Sequence, residues 1–357
     1  MTARANGAPA DGRTADPAAL DGRPGLAKLD ALWARGREFF GTRYAILGGA
    51  MTWVSERNLV SAISNAGGFG VIACGSMQPH MLEEEIKATR ALTDKPFGVN
   101  LITMHPQLDE LIAVCGRQGV GHVVLAGGLP PGDAIQKIKD FGGKVICFAP
   151  ALVVAKKLVR SGVDAIVIEG SEAGGHIGPV SLTVLAQEIL PHITEVPVFV
   201  AGGIGRGEAI ATYLRMGAAG CQLGTRFVCA TECIAHPNFK KAFLRAPARE
   251  AVPSVQIDPR FPVIPVRAIR NAATERFMEF QREVIARFQA GEIDQEAAQL
   301  EIEHFWAGAL RRAVIDGNID EGSLMAGQSV GMVTKEQPTA EIIAELIAQA
   351  VEFLERD

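Results

Sequence analysis

The sequence predicts an α/β protein, namely a (β/α)8 TIM barrel followed by a C-terminal helical appendage. Eight short apolar runs alternate with helical patterns between Tyr44 and Thr225. The runs begin about 20 to 30 residues apart, which is the spacing that successive βα units require. Eight parallel strands close naturally into a barrel. An open, doubly wound sheet is the main alternative, because periodicity alone does not establish closure.

The predicted strands are short apolar runs that end in glycine or in a polar residue, as is typical of buried parallel strands. In chain order they are Tyr44–Gly49, Phe69–Ala73, Phe97–Leu101, His122–Ala126, Lys144–Ala149, Ala165–Glu169, Val196–Ala201 and Gly220–Gly224. Helical patterns connect successive strands. They cover Glu56–Ala66, Pro79–Leu92, Pro106–Gln118, Gly132–Phe141, Ala151–Ser161, Leu182–Leu190 and Gly207–Met216.

The pattern changes after the eighth predicted strand. Two prolines predict an extended connector over Phe261–Val266, and helices are then expected at Ala268–Gln289, Gln295–Ile315 and Thr339–Glu355. We therefore expect a disordered tail at residues 1–24, the barrel at 25–260, and at 261–357 a helical appendage that packs as a lid on the barrel mouth. The glycine-rich stretch 322–331 is either part of that lid or an ordinary connector between helices.

Composition and charge exclude several classes of protein. The formal net charge is −5 over 357 residues and 6% of the side chains are aromatic, so the chain lacks the basic face and the stacking surface of a nucleic-acid-binding protein. No apolar run is long enough to span a membrane, and the N-terminus has no apolar signal segment. The six scattered cysteines show no metal-ligand spacing. We expect a cytoplasmic protein with reduced thiols and no metal.

The stretch from Glu169 to His176 is the first candidate for chemistry. It follows the sixth predicted strand and places two glycines immediately before the histidine. Ligands of a barrel bind at the carboxyl ends of its strands, and glycine lets them approach the backbone closely. An imidazole titrates near neutral pH. We therefore favour a functional role for His176 over a structural one, and expect structural roles for the other histidines.

Two further strand ends fit a bound phosphate. Gly202 and Gly203 follow the seventh predicted strand and precede a helix, and Gly224 and Thr225 follow the eighth. Loops after these strands form the usual phosphate site of TIM barrels, since backbone N–H groups favour an anion. Neither G-x-G-x-x-G nor a P-loop opens a nucleotide unit, so we expect a mononucleotide such as a flavin. Asn100 is either a flavin contact or an Asx cap for the following helix.

Six segments occur in an order that is similar to that of a known family. They are Gly48–Ser55, Ser64–Gly70, Lys95–Asn100, Glu169–Gly178, Ala201–Ile204 and Gln222–Phe227. Together they resemble the nitronate monooxygenase (2-nitropropane dioxygenase) family. The resemblance extends over about residues 40 to 350 and implies a TIM barrel that binds FMN non-covalently.

The resemblance also implies the residues of the site. His176 matches the family's active-site histidine. The barrel would contribute to the cofactor site Gly49, Ala50, Met51, Asn100, Glu169, Gly174, Gly175, Gly202, Gly203, Gln222, Gly224 and Thr225. The appendage loop would lie over the flavin and contribute Met325, Gly327 and Gln328.

Two branches of the family are open at this point. In nitronate monooxygenases, His176 would act on a small nitronate and the flavin would pass electrons to oxygen. In type II enoyl-acyl-carrier-protein reductases, FMN reduced by NADH or NADPH would give a hydride to an enoyl thioester. The short segment after His176, the connector Val266–Asn271 and the stretch Gly322–Gln328 are closer to the reductases, whereas Ala50 before Met51 departs from their pattern.

Two other classes of protein also fit the phosphate loops. One is a non-catalytic flavin- or phosphate-binding barrel, and the other is a sugar-phosphate isomerase that uses Glu169 and His176 as an acid/base pair. The reductase is placed first and the nitronate monooxygenase second. The expected partners of this chain are a small-molecule or acyl-thioester substrate, acyl carrier protein as the thioester's carrier, and a second copy of the chain in a homodimer.

Overall fold

The barrel is closed. The computed structural model describes residues 20–356, and the predicted tail lies outside them except for residues 20–24. Eight parallel strands form one sheet. A parallel bridge between Leu47 and Phe69 joins the two ends of that sheet. The TIM barrel is therefore confirmed, and the open sheet is wrong.

The elements of the barrel lie within two residues of their predicted positions. Numbered along the chain, the strands are β1 Ile46–Gly48, β2 Gly70–Ala73, β3 Phe97–Ile102, β4 His122–Ala126, β5 Lys144–Phe148, β6 Ala165–Glu169, β7 Gly175–His176, β8 Val198–Ala201, β9 Gly220–Leu223, β10 Ala251–Pro253 and β11 Val266–Ile269. The last two strands and β7 lie outside the barrel.

The helices include two before the barrel that are not predicted from the sequence. They are α1 Pro24–Leu32, α2 Ala34–Phe40, α3 Arg57–Asn65, α4 Pro79–Leu92, α5 Leu108–Arg117, α6 Ala134–Asp140, α7 Leu152–Arg160, α8 Leu182–Ile189, α9 Gly207–Arg215, α10 Pro237–Arg245, α11 Ala272–Gln289, α12 Gln295–His304, α13 Ala309–Val314 and α14 Thr339–Glu355. None of them is long and apolar enough to cross a membrane.

An aromatic plug fills the amino end of the barrel. The ring of Phe40, at the end of α2, lies 4.2 Å from that of Phe69 and 4.8 Å from that of Phe199. Phe69 in turn lies 5.0 Å from His122, whose Nε2 is 2.9 Å from the carbonyl oxygen of Phe39. Aromatic side chains of this size bury a large apolar area, so α2 closes the lumen on the side away from the strand carboxyl ends.

Polar side chains lie in the lumen at the opposite end. The sheet ladder pairs Glu169 with Ala201 and Ala201 with Gln222. Paired residues of parallel strands point to the same face, and Ala201 lies two residues beyond Phe199 of the plug, so all three face the lumen. The same ladder, followed through β5 and β4 to β3, puts Asn100 on that face.

A small antiparallel sheet lies next to the barrel and orders the first part of the appendage. Its central strand β11 pairs with β7, Val266 opposite His176, and with β10. The helix predicted from Ala268 therefore begins only at Ala272. The sequence reasoning missed this because Ala268 is taken up by β11 and Asn271 caps the helix through Thr274.

The middle of the appendage forms a separate helical hairpin. The predicted helix Gln295–Ile315 is two helices, because Gly308 adopts a left-handed conformation with φ of +69° between them. Helices α11 and α12 pack on a hydrophobic cluster that is separate from the barrel core. This cluster includes Phe261, Phe277, Val284 and Ile302.

The C-terminal helix α14 packs beside the barrel. A Cβ added to Gly207 of α9 would overlap the Leu346 carbonyl oxygen, and one added to Gly25 would overlap that of Val351. The Gly207 N–H also donates to Gln349 Oε1 at 2.9 Å. This helix therefore completes the outer helical ring, and it does not cover the mouth. The division of the chain at residue 260 stays a prediction.

The plug predicts an acid-sensitive stability. Burial lowers the pKa of His122 from 6.5 to about 4, so the native state holds this ring neutral. As pH falls from 6.5 to 4, the unfolded chain binds a proton that the native state does not, and up to about 3 kcal/mol of stability is lost. The free energy of unfolding in urea should therefore fall less between pH 7 and pH 4.5 in His122→Gln than in the wild type. An unchanged pH dependence in that variant would contradict this, and exposed His192→Gln is the matched control.

Candidate active site

Backbone donors converge at the ends of two neighbouring strands. Gly202 and Gly203 turn the chain from β8 toward α9 with φ of +93° and +70°. The N–H groups of Gly203, Ile204, Gly224 and Thr225 donate to no acceptor within residues 20–356. Since β8 and β9 are paired, these free donors lie at one edge of the barrel. Such a set of unpaired N–H groups fits a phosphate, so we call these four residues the phosphate-binding edge.

Gly202 and Gly203 also line a cavity of about 250 Å³. Among its other lining residues are Glu172, Ile204 and Gln328. The structure thus brings one of the predicted appendage residues together with the loop after β8. No group of histidine, cysteine or acidic side chains within residues 20–356 could hold a metal ion.

The loop after β1 lies against the loop after β9. The Gly49 N–H donates to the Leu223 carbonyl oxygen at 2.8 Å. Ser55 then fixes the loop, because its hydroxyl donates to the Gly49 carbonyl at 2.8 Å and accepts from the Met51 N–H at 3.0 Å. A Cβ on Gly224 would lie 3.3 Å from Met51 Sδ. Gly49, Ala50 and Met51 are therefore next to the phosphate-binding edge, as the resemblance implies.

Sequence reasoning gave no role to two residues of this loop. Ser55 belongs to the segment that carries the resemblance, but its two bonds are visible only in the folded loop. Trp53 has φ of +68°, and it is the only non-glycine residue with positive φ among residues 20–356. A bulky residue in this region stores backbone strain, which is common at functional sites.

Asn100, Glu169 and Gln222 provide the polar groups of the lumen. The Asn100 amide donates to the Val124 carbonyl oxygen at 3.3 Å. Its alternative role as an Asx cap is wrong, because α5 begins after Gln107 and no side chain caps it. The Glu169 side chain keeps some accessible surface toward the lumen and is otherwise enclosed by protein. Loss of water raises its pKa to about 8, so the carboxyl is protonated at neutral pH.

His176 is held by its backbone in the small sheet. It pairs with Val266, and the next N–H, that of Ile177, donates to the Pro265 carbonyl oxygen at 3.0 Å. The side chain remains exposed and has no hydrogen-bond partner within residues 20–356. Surrounding protein atoms nevertheless lower its pKa by desolvation, so the imidazole is neutral at pH 7. A neutral imidazole can both donate and accept a hydrogen bond.

The appendage loop 322–331 is fastened to the site by its backbone. The Gly327 N–H donates to Thr225 Oγ1 at 2.9 Å, and the Gln328 N–H donates to the Glu172 carbonyl oxygen at 2.9 Å. Met325 forms an isolated bridge with Ala268. The loop therefore lies between the phosphate-binding edge and the segment that carries His176.

The structure explains why glycine is needed at Gly174, after β6, and the sequence alone does not. A Cβ on Gly174 would lie 2.5 Å from the Gly327 nitrogen. The close approach expected between glycine and a ligand is, at Gly174, an approach between two protein segments. Gly175 is different, because a Cβ there would meet only Met325 Sδ at 3.6 Å and its φ is +76°.

Comparison with known proteins identifies the family. The sequence profile described as nitronate monooxygenase matches residues 34–116 and 106–349. The chain belongs to the nitronate monooxygenase family. It is 29% identical to a (3aS,4S,5R,7aS)-5-hydroxy-7a-methyl-1-oxo-octahydro-1H-indene-4-carboxyl-CoA dehydrogenase of Mycobacterium tuberculosis, over 89% of this chain and 96% of that protein. It is also 29% identical to a nitronate monooxygenase of Paraburkholderia phytofirmans, over 87% and 93%.

Solved structures of this family have the same fold. FabK from Thermotoga maritima superposes with a TM-score of 0.81 and 34% identity, covering 90% of this chain and 97% of that one. A nitroalkane oxidase from Streptomyces ansochromogenes gives a TM-score of 0.73 and 25% identity, covering 88% and 98%. Members of the family are flavoproteins that bind FMN. This chain is a flavin-dependent oxidoreductase, and the predicted family is confirmed.

The contact between Gly174 and Gly327 can be tested directly. Gly174→Ala should destabilise the protein by about 1–3 kcal/mol, because its methyl group has to displace the backbone of the appendage loop. Gly178→Ala should leave the free energy of unfolding nearly unchanged, because no atom lies within 4 Å of a Cβ added at Gly178. Urea unfolding measures both effects, and limited proteolysis should cut the loop faster in Gly174→Ala alone. Equal stability of the two variants would contradict the assigned contact.

Proposed function

We propose that the chain binds FMN non-covalently and reduces the α,β double bond of an acyl thioester with electrons from NADH or NADPH. The observation that carries this proposal is an apolar rim along one side of the barrel mouth. It consists of Met104 after β3, Leu129 after β4, Val153 after β5, and Ile264, just before β11. Met104, Val153 and Ile264 are 75%, 72% and 65% exposed, the highest values among the large hydrophobic side chains of residues 20–356.

The position of this apolar rim favours a substrate with a hydrocarbon part. Val266, two residues after Ile264, pairs with His176, so the segment that carries Ile264 lies beside the candidate catalytic residue. The phosphate-binding edge lies at β8 and β9, away from β3 to β5. Exposed apolar side chains that border a polar site are typical of ligand-binding surfaces. A small nitronate has little apolar surface to offer them.

The relatives support the same class of substrate. One is named as a carboxyl-CoA dehydrogenase, and a thioester is therefore part of its substrate. Another is FabK, an enoyl-acyl-carrier-protein reductase. Dehydrogenation and reduction of a thioester's carbon chain are the same class of hydride transfer run in opposite directions. This similarity and the apolar rim both support our choice of the thioester as the first candidate.

Each residue of the site then has a proposed role. The free N–H groups after β8 and β9 would hold the FMN phosphate, and Asn100, Glu169 and Gln222 would face the ring from the lumen. The flavin supplies hydride transfer to the β-carbon of the thioester. Neutral His176 would donate a hydrogen bond to the thioester carbonyl oxygen or a proton to the α-carbon. Met325, Gly327 and Gln328 would cover the ring.

The second candidate is oxidation of alkyl nitronates with oxygen. It is favoured by the family profile and by the relative from Paraburkholderia phytofirmans, which is named as a nitronate monooxygenase. The sugar-phosphate isomerase and the non-catalytic barrel lose their support, because the family consists of flavin-dependent oxidoreductases.

A spectrum of the purified protein under anaerobic conditions separates the two candidates. Addition of NADH or NADPH should bleach the flavin band rapidly, and addition of an enoyl-CoA such as crotonyl-CoA should restore it. Oxygen uptake with propyl nitronate, without bleaching by either nicotinamide cofactor, would instead support the nitronate monooxygenase and overturn the reductase.

The role of His176 predicts the phenotype of a single variant. His176→Ala should retain FMN and lower kcat by about 10²- to 10⁴-fold, the usual contribution of a general acid or base. Because the wild-type imidazole is neutral above its lowered pKa, wild-type kcat/KM should be flat above pH 6.5 and fall only at lower pH. His80→Ala, on the surface of α4, is the control. Loss of FMN from His176→Ala would assign the histidine to cofactor binding instead.

A further inference from the structure

Arg267 occupies the centre of the small antiparallel sheet. It lies on β11, and its backbone pairs with Gly175 on one side and with Pro253 on the other. The residue next to Gly175 is His176. Arg267 is 7% exposed, so a guanidinium group has been buried a short distance from the candidate catalytic residue.

The Arg267 guanidinium binds two backbone carbonyls and no acid. Its Nε donates to the Ser171 carbonyl oxygen at 2.9 Å, and its Nη1 donates to that of Ala251 at 2.6 Å. No carboxylate forms an ion pair with it within residues 20–356; Glu172 acts on it only at longer range. Burial lowers its pKa, and the charge of Glu172 opposes that effect. A buried cation without a paired acid is costly, so stability alone gives little reason for an arginine at this position.

The backbone around Arg267 also holds the appendage loop. The carbonyl oxygen of Arg267 accepts from the Ala326 N–H at 3.3 Å. The Ile269 N–H donates to the Leu324 carbonyl oxygen at 2.9 Å, and Ala268 forms the bridge with Met325. One strand is therefore bonded to the segment that carries His176 and to the loop that carries Met325.

We propose that Arg267 is a positioning residue that sets the distance between His176 and the Met325 loop. Its side chain fixes the start of the segment Ser171–His176, and its backbone fixes both the end of that segment and the loop. This inference rests on the proposed function only in assuming that His176 acts on the substrate.

The chemistry of the side chain explains why arginine suits this task. Its planar fork presents several N–H donors in fixed directions, so it can bridge Ser171 and Ala251 at the same time. A lysine ammonium keeps the charge but has no such fork, and a glutamine amide keeps neither the charge nor the length. Arg267→Lys therefore separates bridging from charge, and Arg267→Gln removes both.

The test measures the imidazole of His176 and the reaction separately. Histidine is labelled with nitrogen isotope in the FMN-loaded protein, and the pKa of the His176 ring is followed by NMR. In both Arg267 variants this pKa should rise toward 6.5, because the released segment lets water reach the ring. FMN content should stay at the wild-type level, whereas kcat should fall about 10- to 100-fold with a smaller change in KM. Arg270→Gln, which changes an exposed arginine directly after β11, is the matched control.

Each outcome decides the inference. A wild-type His176 pKa and a kcat within twofold of wild type in both variants would overturn it. Wild-type behaviour of Arg267→Lys alone would mean that charge, and not bridging, is what matters, and this also overturns it. If both variants fail to fold, Arg267 is a stability residue and the inference is wrong. If wild-type protein reduces no enoyl-CoA while the NMR shift appears in both variants, the proposed function fails and the positioning role stands.

Discussion

The closed parallel ladder of the barrel determines where everything else lies. Because side chains alternate along each strand and paired residues share a face, closure fixes one set of side chains as the lumen. The lower members of that set are the rings of Phe69, His122 and Phe199, and the upper members are Asn100, Glu169 and Gln222. The aromatic plug completes a dry core on one side. On the other side Asn100, Glu169 and Gln222 form a polar floor below the mouth.

The parts outside the barrel are joined to it through backbone hydrogen bonds. Loop 322–331 contacts Thr225 and Glu172 through its own N–H groups, and β11 binds both that loop and β7. Apart from the Thr225 hydroxyl, the partners are backbone groups, so most of these contacts depend on the path of the chain rather than on side-chain identity. They explain why Gly174 is a glycine, since only a residue without a side chain lets the loop come this close. The geometry of His176 is therefore a property of the appendage as much as of the barrel.

The local sequence pattern predicts the barrel, but it does not predict the contacts between the barrel and the segments outside it. Every barrel strand follows from its apolar run, because burial on both faces leaves a continuous stretch of apolar residues in the sequence. By contrast, β7 has two residues and exists only because β11 pairs with it. The sequence predicts helix α14 as part of the appendage, whereas its contact with Gly207 of α9 shows that it belongs to the outer helical ring. Arg267 lies between the predicted connector and the predicted helix, and its side-chain contacts depend on carbonyls distant in sequence.

Different groups of the barrel mouth would contact the cofactor and the substrate, and this separation explains how one family can accommodate different substrates. The phosphate-binding edge uses backbone N–H groups, which substitution of side chains does not remove. In the proposed function the polar floor would face the flavin ring, and both candidate reactions need that ring in the same place. The apolar rim, in contrast, is formed by side chains on loops and helix starts, where replacement costs little stability, namely those of Met104, Leu129, Val153 and Ile264. Substrate choice can therefore change at the rim while the cofactor site and His176 stay fixed. On this argument the rim, and not the lumen, distinguishes a thioester reductase from a nitronate monooxygenase built on the same barrel.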